Sequence, residues 1–242
     1  MNAPSRWSHV RGICFDLGGT LVRTDPEPTT GQVAHVLGIS LERARQIMED
    51  GPKRRRTTPE DLAGDLAADF HRPALLGPLL SVLERARQRA AEPDLFPDAA
   101  PTLTALRRRG FALYGLTNSL GSSVPEVPPP ALRELLDDVF HSADTGAVKP
   151  EREAFAHVER ASGLVPREVL PVGDSLRADV VGAASAGWHS AWLDRDQPAG
   201  YPNPEPLDVP RVDRLTSLLP LLPARPTEAL TRKPEVRDGA DL

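Results

Sequence analysis

Three short apolar runs in this 242-residue chain each end in polar residues that could act on a charged ligand. Asp16 ends the first run and Asp174 ends the third. Thr117 and Asn118 stand together at the end of the second. Because ligands of an open parallel sheet bind at the carboxyl ends of its strands, we expect these residues to converge on one crevice. Lys149, one of only three lysines in the chain, precedes a predicted helix and adds a cation to the candidate site.

The elements that position these residues alternate between strand and helix. Apolar runs bounded by turn residues predict strands at residues 10–17, 111–116, 139–141, 169–172 and 190–193. Helical patterns predict helices at residues 99–109, 131–138, 151–162, 177–186 and 215–222. Strand–helix alternation at this spacing indicates an α/β fold, in which a parallel sheet carries helices on both faces. The predicted architecture is a three-layer, Rossmann-like core.

Residues 23–96 have a different character, and we call this segment the helical cap. It shows helical periods and good start signals. Ser40 can cap a helix that ends at Gly51, and Thr58 followed by Pro59 is typical of a second helix start. The segment is therefore predicted to be an all-helical insert after the first strand.

These patterns divide the chain into parts. Residues 1–22 and 97–223 are predicted to form the core, and residues 23–96 the cap. A proline-rich connection is expected at residues 198–210, and a polar, frayed tail at residues 224–242.

Composition limits the possible functions. Apolar residues make up 40% of the chain, charged residues 26%, and the formal net charge is −5. The acidic balance argues against a nucleic-acid binder, which would need a basic face. A single cysteine excludes a disulfide framework and a cysteine-rich zinc site. The chain has no apolar run long enough to span a membrane and no secretory signal, so we expect a cytoplasmic protein.

Four segments together carry a family resemblance. They are residues 15–21 (FDLGGTL), 116–119 (LTNS), 146–151 (GAVKPE) and 172–183 (VGDSLRADVVGA). Their order and spacing resemble the four motifs of the haloacid dehalogenase (HAD) superfamily, and the helical cap resembles that family's mobile cap. The resemblance covers roughly residues 8–222 and implies phosphoryl transfer through an aspartyl-phosphate on a small phosphorylated substrate.

The resemblance implies a role for each acidic residue. Asp16 would be the nucleophile that attacks phosphorus. Mg²⁺, a hard cation that takes oxygen ligands, would be held by Asp16, by the Gly18 carbonyl and by Asp174. Asp179 would support a metal-bound water or Lys149.

The resemblance also implies a phosphate site. The Thr117 hydroxyl and nearby backbone N–H groups, including that of Asn118, would hold the phosphoryl oxygens. Lys149 would spread the remaining negative charge as a point cation.

One position departs from the family pattern. Phosphatases of this family usually carry a second aspartate two residues after the nucleophile, where this chain has Gly18. That aspartate protonates the leaving alcohol, and such a group contributes roughly 10²–10⁴-fold. The departure leaves open a weak or inactive relative that binds a phosphorylated ligand or a partner, and also a C–P or C–halogen hydrolase. Dehalogenases use no metal and lack the acidic fourth motif, so Asp174 and Asp179 favour the metal-dependent branches.

Further candidates lie in the cap. The basic run at residues 53–56 is predicted to be a solvated loop between helices, with a patch that closes over an anionic substrate as the alternative. Lys53 is the only lysine of the cap, and the alternative role for it is a Schiff base of the phosphonate-hydrolase kind. If another group replaces the missing acid, Asp25, Glu27 and His35 are the first candidates.

Overall fold

The computed structural model describes residues 6–196 and 209–223, and a six-stranded parallel sheet lies at its centre. The strands are β1 (Gly12–Phe15), β2 (Ala112–Thr117), β3 (Asp138–His141), β4 (Val169–Gly173), β5 (Ala191–Leu193) and β6 (Arg211–Val212). Their order in the sheet is β3-β2-β1-β4-β5-β6, and every neighbouring pair is parallel. The strand that ends at Asp16 is thus central, between β2 and β4.

Nine α-helices connect and cover these strands within the described residues. They are α1 (Thr29–Leu37), α2 (Leu41–Asp50), α3 (Pro59–Asp69), α4 (Leu76–Ala91), α5 (Ala99–Arg108), α6 (Pro130–Arg133), α7 (Ser142–Thr145), α8 (Arg152–Ser162) and α9 (Gly182–Ser185). Single 3₁₀ turns occur at Pro73–Leu75, Gly121–Ser123, Pro166–Glu168 and Leu215–Leu218, and a wider π-type turn, Leu176–Val181, leads into α9.

Side chains of β1 alternate between two hydrophobic clusters, one on each face of the sheet. Ile13 and Phe15 pack in the cluster that contains Leu103 of α5. Cys14, between them, packs in the cluster that contains Phe155 of α8. Successive side chains of a strand point to opposite faces, so apolar residues at consecutive positions place a helical layer on each side. The predicted three-layer parallel-sheet fold is confirmed.

A third hydrophobic cluster lies among the four helices of the cap and joins residues of α1, α2, α3 and α4. Both predicted helix starts are present. The Ser40 hydroxyl accepts a hydrogen bond from the Arg43 N–H, and the Thr58 hydroxyl accepts one from the Asp61 N–H. These caps satisfy N–H groups that a helix leaves unpaired at its first turn. The domain boundaries themselves stay a prediction.

Two helices predicted from the sequence are shorter in the structure. Of the segment 131–138, only residues 131–133 are helical, as part of α6 (Pro130–Arg133), and Asp138 already belongs to β3. Asp137 explains the early exit, because its backbone N–H donates to the Leu113 carbonyl and its carboxylate accepts from the Leu113 N–H. Pairing with the edge of β2 therefore replaces the continuing helix.

The segment 215–222, predicted as a helix, forms a single 3₁₀ turn, Leu215–Leu218. The short strand β6 just before it was not predicted. The predicted helix at residues 177–186 is present, but its first part is the wide turn Leu176–Val181. Most of the proline-rich connection and all of the tail at residues 224–242 lie outside the described residues.

Within residues 6–196 and 209–223, no helix has both the length and the apolar character that crossing a membrane requires.

Candidate active site

The Lys149 ammonium group lies at the centre of a buried charge cluster. It donates to Asp16 Oδ1 at 2.9 Å and to Asp179 Oδ1 at 2.6 Å. The side chain of Lys149 is 3% exposed, and those of Asp179 and Asp16 are 5% and 14% exposed. Lys149, from the loop before α8, and Asp179, from the turn after β4, thus meet Asp16 at the carboxyl end of β1. Asp16 is the member of this trio that keeps the most solvent access.

Asn118 fixes the backbone that carries Lys149. Its side-chain amide donates to the Lys149 carbonyl at 2.8 Å, and its side-chain oxygen accepts from the Lys149 N–H, also at 2.8 Å. Both ends of the Asn118 amide are therefore engaged with the lysine backbone. Both residues predicted to hold phosphate at the end of β2, Thr117 and Asn118, line the cavity beside Asp16, and the Asn118 side chain also positions Lys149.

Asp179 is held in place by the turn that follows β4. The Ser175 N–H donates to Asp179 Oδ2 at 3.0 Å. A Cβ atom at Gly173 would lie 2.2 Å from this same oxygen, so residue 173 must lack a side chain for Asp179 to reach Lys149. The acid predicted to support Lys149 is thus positioned to do so by a glycine and a backbone N–H.

Asp174 stands beside this pair and completes an acidic cluster. One carboxylate oxygen each of Asp16, Asp174 and Asp179 lies within 4.8 Å of the others. The Trp192 indole N–H donates to the Asp174 backbone carbonyl at 3.0 Å. The Thr20 hydroxyl lies 3.5 Å from the Asp174 carboxylate. Converging hard oxygen ligands suit Mg²⁺, so the donor set fits the predicted metal.

Burial dominates the electrostatics of this site. It raises the pKa of Asp16 to about 7, with Lys149 opposing the rise and Asp179 and Asp174 adding to it. Burial and the neighbouring Asp179 also raise the pKa of Asp174. For Lys149, burial acts to lower the pKa, but the carboxylates of Asp16 and Asp179 outweigh it and the pKa is raised. The cluster therefore holds a permanently charged lysine and acids that gain from a further cation.

Two cavities meet at this site. The first, which we call the polar cavity, has a volume of about 510 Å³. It is lined by Asp16, Thr117, Lys149 and Arg177 of the core and by Arg45 and Glu49 of α2. The second, which we call the apolar cavity, has a volume of about 390 Å³ and lies between core and cap. Gly18, Thr117 and Asn118 line both.

Gly18 brings no acid to the junction of the two cavities. A Cβ atom built there would have only the Thr24 methyl group within 4 Å, at 3.3 Å, and the backbone has no positive φ. The following Gly19 differs, because its φ is +76° and a Cβ atom would lie 2.2 Å from Asp174 Oδ2. The backbone at position 18 would therefore accept a residue with a side chain, and conformational strain does not explain why glycine stands there.

The basic run at residues 53–56 is neither a fully solvated loop nor one continuous patch over the site. Arg54 forms two hydrogen bonds with the Glu151 carboxylate, at 2.5 and 3.0 Å, and one with the Gly146 carbonyl. Arg56 is hydrogen-bonded through two nitrogens to the Asp144 carboxylate. These partners lie about 90 positions away in the chain, so sequence patterns could not reveal that both arginines join cap to core.

Lys53 differs from its two arginine neighbours. Its side chain is half-buried, and burial is the main reason that its pKa is lowered. Glu49, Arg45 and Asp16 also act on its charge. Among the described residues, its ammonium group has no hydrogen-bond or ion-pair partner. Lys53 is thus a cap cation that faces the acidic site without being neutralised there.

The alternative acids proposed in the cap are placed unfavourably. Asp25 lines the apolar cavity, but its carboxylate is ion-paired with Arg89 and also accepts from Gln32. Neither Glu27 nor His35 lines either cavity. None of the three is a free acid next to Asp16.

A parallel sheet with acidic strand ends and a lysine bridging two carboxylates defines a hydrolase of the class that the motifs resemble. Residues 10–187 match the haloacid dehalogenase-like hydrolases, and the chain belongs to that family.

Curated relatives of this chain include phosphatases. The phosphoglycolate phosphatase of Escherichia coli (strain K12) is 30% identical over 248 residues, which covers 91% of this chain and 94% of that protein. The phosphoserine phosphatase of Thermus thermophilus is 36% identical over 110 residues, which covers 45% of this chain and 44% of that protein. The family therefore includes phosphatase relatives that align with almost the whole chain.

Solved structures share the fold. A HAD phosphatase from Thermococcus onnurineus has a TM-score of 0.55 and 27% identity, and covers 89% of this chain and 99% of that chain. A 2-haloacid dehalogenase from Pseudomonas syringae pv. Tomato DC3000 has a TM-score of 0.63 at 21% identity, and covers 88% of this chain and 97% of that chain. At that identity the dehalogenase supports the fold alone.

Proposed function

We propose that this protein is a Mg²⁺-dependent phosphoric monoester hydrolase that acts on a small phosphorylated metabolite through an aspartyl-phosphate at Asp16. The observation that carries the proposal is the bridge from Lys149 to both Asp16 and Asp179 inside the acidic cluster. A buried ammonium group held beside a carboxylate at a strand end suits an anionic substrate. The names of the phosphatase relatives support the same substrate class.

Asp16 is the proposed nucleophile. Its carboxylate oxygen attacks phosphorus while the bond from phosphorus to the leaving oxygen breaks, and the leaving oxygen takes a proton from solvent. Water then attacks the phosphoryl group, the bond to Asp16 breaks, and inorganic phosphate is released with loss of a proton to solvent. In both steps Lys149 offsets the negative charge, and the Thr117 hydroxyl orients the phosphoryl oxygens.

Asp16, the Gly18 carbonyl and Asp174 would hold the metal. When bound, Mg²⁺ supplies positive charge that keeps Asp16 ionised and reduces repulsion between the nucleophile and the phosphate. The raised pKa of Asp16 gives this chain a physical need for such a cation near neutral pH. Asp179 is already committed to Lys149 and Ser175, so we propose that it acts through the lysine.

The absence of an acid at Gly18 shapes the expected substrates. A leaving group that is a weak base departs without full protonation, whereas an alkoxide needs a proton donor. We therefore infer that rates rise steeply as the leaving group becomes more acidic, with acyl and aryl phosphates ahead of sugar phosphates.

Phosphate release from acetyl phosphate and 4-nitrophenyl phosphate, measured with Mg²⁺ and with a chelator, tests the proposal. We expect turnover with Mg²⁺ that the chelator abolishes. Asp16→Asn should abolish turnover, because an amide of the same shape cannot act as the nucleophile. Asp69→Asn, at an exposed position of α3, is the matched control and should retain full activity.

The possible outcomes separate the alternatives. More than a few per cent of activity in Asp16→Asn would contradict the covalent mechanism. Activity that is indifferent to the chelator would reopen C–halogen hydrolysis. No turnover of any phosphoester would favour a relative that only binds a phosphorylated ligand or a partner.

A further inference from the structure

The apolar cavity meets the phosphoryl site at Gly18, Thr117 and Asn118, and the mechanism proposed above gives it no role. We propose that this cavity receives the leaving group, and that the natural substrates are phosphate monoesters of bulky, mainly apolar phenols. The inference rests on the proposed phosphatase function and adds the class of substrate.

The lining of the cavity indicates an apolar occupant. Leu17, Leu132 and Val139 of the core, Leu120 after β2, and Ala86 and Ala90 of α4 all contribute to it. Ala86 and Ala90 are four positions apart and therefore present one face of α4 to the cavity. A volume of about 390 Å³ lies within the range of about 300–1,000 Å³ typical of small-molecule sites, whose walls are mostly apolar.

Four of the six lysine, arginine and acidic residues of the lining pair with one another, and Lys53 and Glu92 are the other two. Arg89 is ion-paired with Asp25, and Arg23 lies 3.5 Å from Asp94. Among the described lining residues, Lys53 is the cation without a hydrogen-bond or ion-pair partner, and the charge of Asp16 acts on it. A lining that is mainly apolar, with Lys53 as its cation without a hydrogen-bond or ion-pair partner, suits a ligand whose charge is concentrated at its phosphoryl end.

A hydrogen-bonding pair lies farther along the sheet edge. His141 lines the cavity and its Nδ1 is 2.8 Å from the Ser119 hydroxyl. His141 is the register partner of Thr117 on the neighbouring strand β3. The end of β3 is two strand spacings from that of β1, about 10 Å, which is long enough for a bulky leaving group. A hydroxyl or carbonyl at the far end of that group would find a partner in this pair.

Gly18 lies where the two cavities share lining residues. It lines both, and the space beside it holds only the Thr24 methyl group within 4 Å of a built Cβ atom. A larger side chain at this position would project into the junction. The residue that removes the usual acid therefore also makes room for an apolar group beyond the phosphate.

The polar cavity offers the competing path. Arg45 and Arg177 line it beside Asp16, and they would suit a leaving group that carries a carboxylate. The two paths predict different substrates, so kinetics can separate them.

The first test compares three phosphates on the unaltered protein with Mg²⁺. Acetyl phosphate is a small substrate with a good leaving group, 1-naphthyl phosphate is bulky and apolar, and 2-phosphoglycolate carries a carboxylate. We expect the KM for 1-naphthyl phosphate to be at least tenfold lower than for acetyl phosphate, and kcat/KM for 2-phosphoglycolate to be the lowest. A higher kcat/KM for 2-phosphoglycolate than for 1-naphthyl phosphate would overturn the inference in favour of the polar cavity.

The second test fills the cavity with a side chain. Ala90→Phe should raise the KM for 1-naphthyl phosphate at least tenfold. The KM for acetyl phosphate should change by no more than twofold. Ala91→Phe, the same change at the exposed neighbouring position of α4, is the control and should leave both unchanged. If Ala90→Phe does not fold, Ala86→Leu fills the same face with less bulk. If a folded cavity variant changes the KM for both substrates equally, or changes neither KM, the inference is overturned.

A binding measurement without turnover completes the test. By calorimetry, 1-naphthylmethylphosphonate should bind at least tenfold more tightly than methylphosphonate, and Ala90→Phe should remove that difference. Equal binding of the two phosphonates to the unaltered protein would overturn the apolar site while acetyl phosphate turnover still supports a phosphatase. Absence of turnover of both acetyl phosphate and 4-nitrophenyl phosphate by the unaltered protein would overturn both proposals.

Discussion

Lys149 is hydrogen-bonded to two carboxylates and Arg54 to one, but Lys149 is buried whereas Arg54 is partly exposed. The Lys149 side chain is 3% exposed and bonds to two acids that are almost as buried. Arg54 and its partner Glu151 are 31% and 42% exposed. Breaking a buried pair typically costs about 3–5 kcal/mol, because an uncompensated charge remains. An exposed pair typically contributes about 0–1 kcal/mol.

The two regions are adjacent even though their energetics differ. Glu151 follows Lys149 by two positions, and Arg54 also donates to the Gly146 carbonyl at the start of the same loop. The exposed arginine therefore joins the cap to the loop that presents the buried lysine. The comparison suggests that buried charge serves the chemistry of the site, whereas exposed charge places the cap over it.

Removal of the buried cation is the most disruptive change. Lys149→Met should lower kcat/KM roughly 10²–10³-fold, as loss of one preorganised donor at a reacting oxygen does. It should also lower the free energy of unfolding in urea by about 3–5 kcal/mol, because Asp16 and Asp179 lose their counter-charge.

A double variant distinguishes charge from packing. Adding Asp179→Asn to Lys149→Met removes one of the stranded acids and should recover part of the lost stability, so the two effects should not add. Additive effects, or a fall in kcat/KM of less than threefold in Lys149→Met, would mean that Lys149 is an ordinary loop residue.

The contrast between these regions also explains what the sequence could predict. Asp16, Lys149 and Asp174 were identifiable because each stands at a strand end or in a loop before a helix, where the topology of a parallel sheet determines the meeting point. The roles of Thr20 and Trp192 at Asp174 were missed, because a single hydroxyl or indole carries no signal in the chain.

Contacts between cap and core could not be predicted from the sequence for a related reason. Arg56 and Asp144 are 88 positions apart, and no local period or cap signal links them. Local patterns also gave the wrong helix length at residues 131–138. Leucines at helical spacing favour a longer helix there, but hydrogen bonds between Asp137 and Leu113 of β2 end it. Element types followed from local periodicity, whereas ends and partners depended on tertiary contacts.

Adding charge to the buried region is expected to have an intermediate effect. Gly18→Asp places a carboxyl group where the family protonates the leaving oxygen, and a positioned acid contributes roughly 10²–10⁴-fold. We expect at least a tenfold rise in kcat for an alkyl phosphate and a smaller change for an aryl phosphate. The like charges of Asp16 and Asp174 offset part of the gain.

Gly18→Ala is the matched control for Gly18→Asp. It adds a side chain without an acid, so it should raise kcat for neither the alkyl phosphate nor the aryl phosphate. An equal rise in both variants, or a flat dependence of the unaltered protein on leaving-group acidity, would show that another group supplies the proton.

The smallest effect is expected at the exposed pairs, where Arg54→Gln should lower the free energy of unfolding by no more than about 1 kcal/mol. Arg160→Gln is the matched control, because its partner Glu153 lies on the same helix and the pair joins no other part of the fold. If Arg54 places the cap, Arg54→Gln should change kcat/KM severalfold at low salt, and Arg160→Gln should not. At 1 M salt, where the screening length is about 3 Å, the difference between the two variants should disappear. A loss in Arg54→Gln as large as that in Lys149→Met would show that the exposed arginine belongs to the chemical site, and the distinction between the two regions would fail.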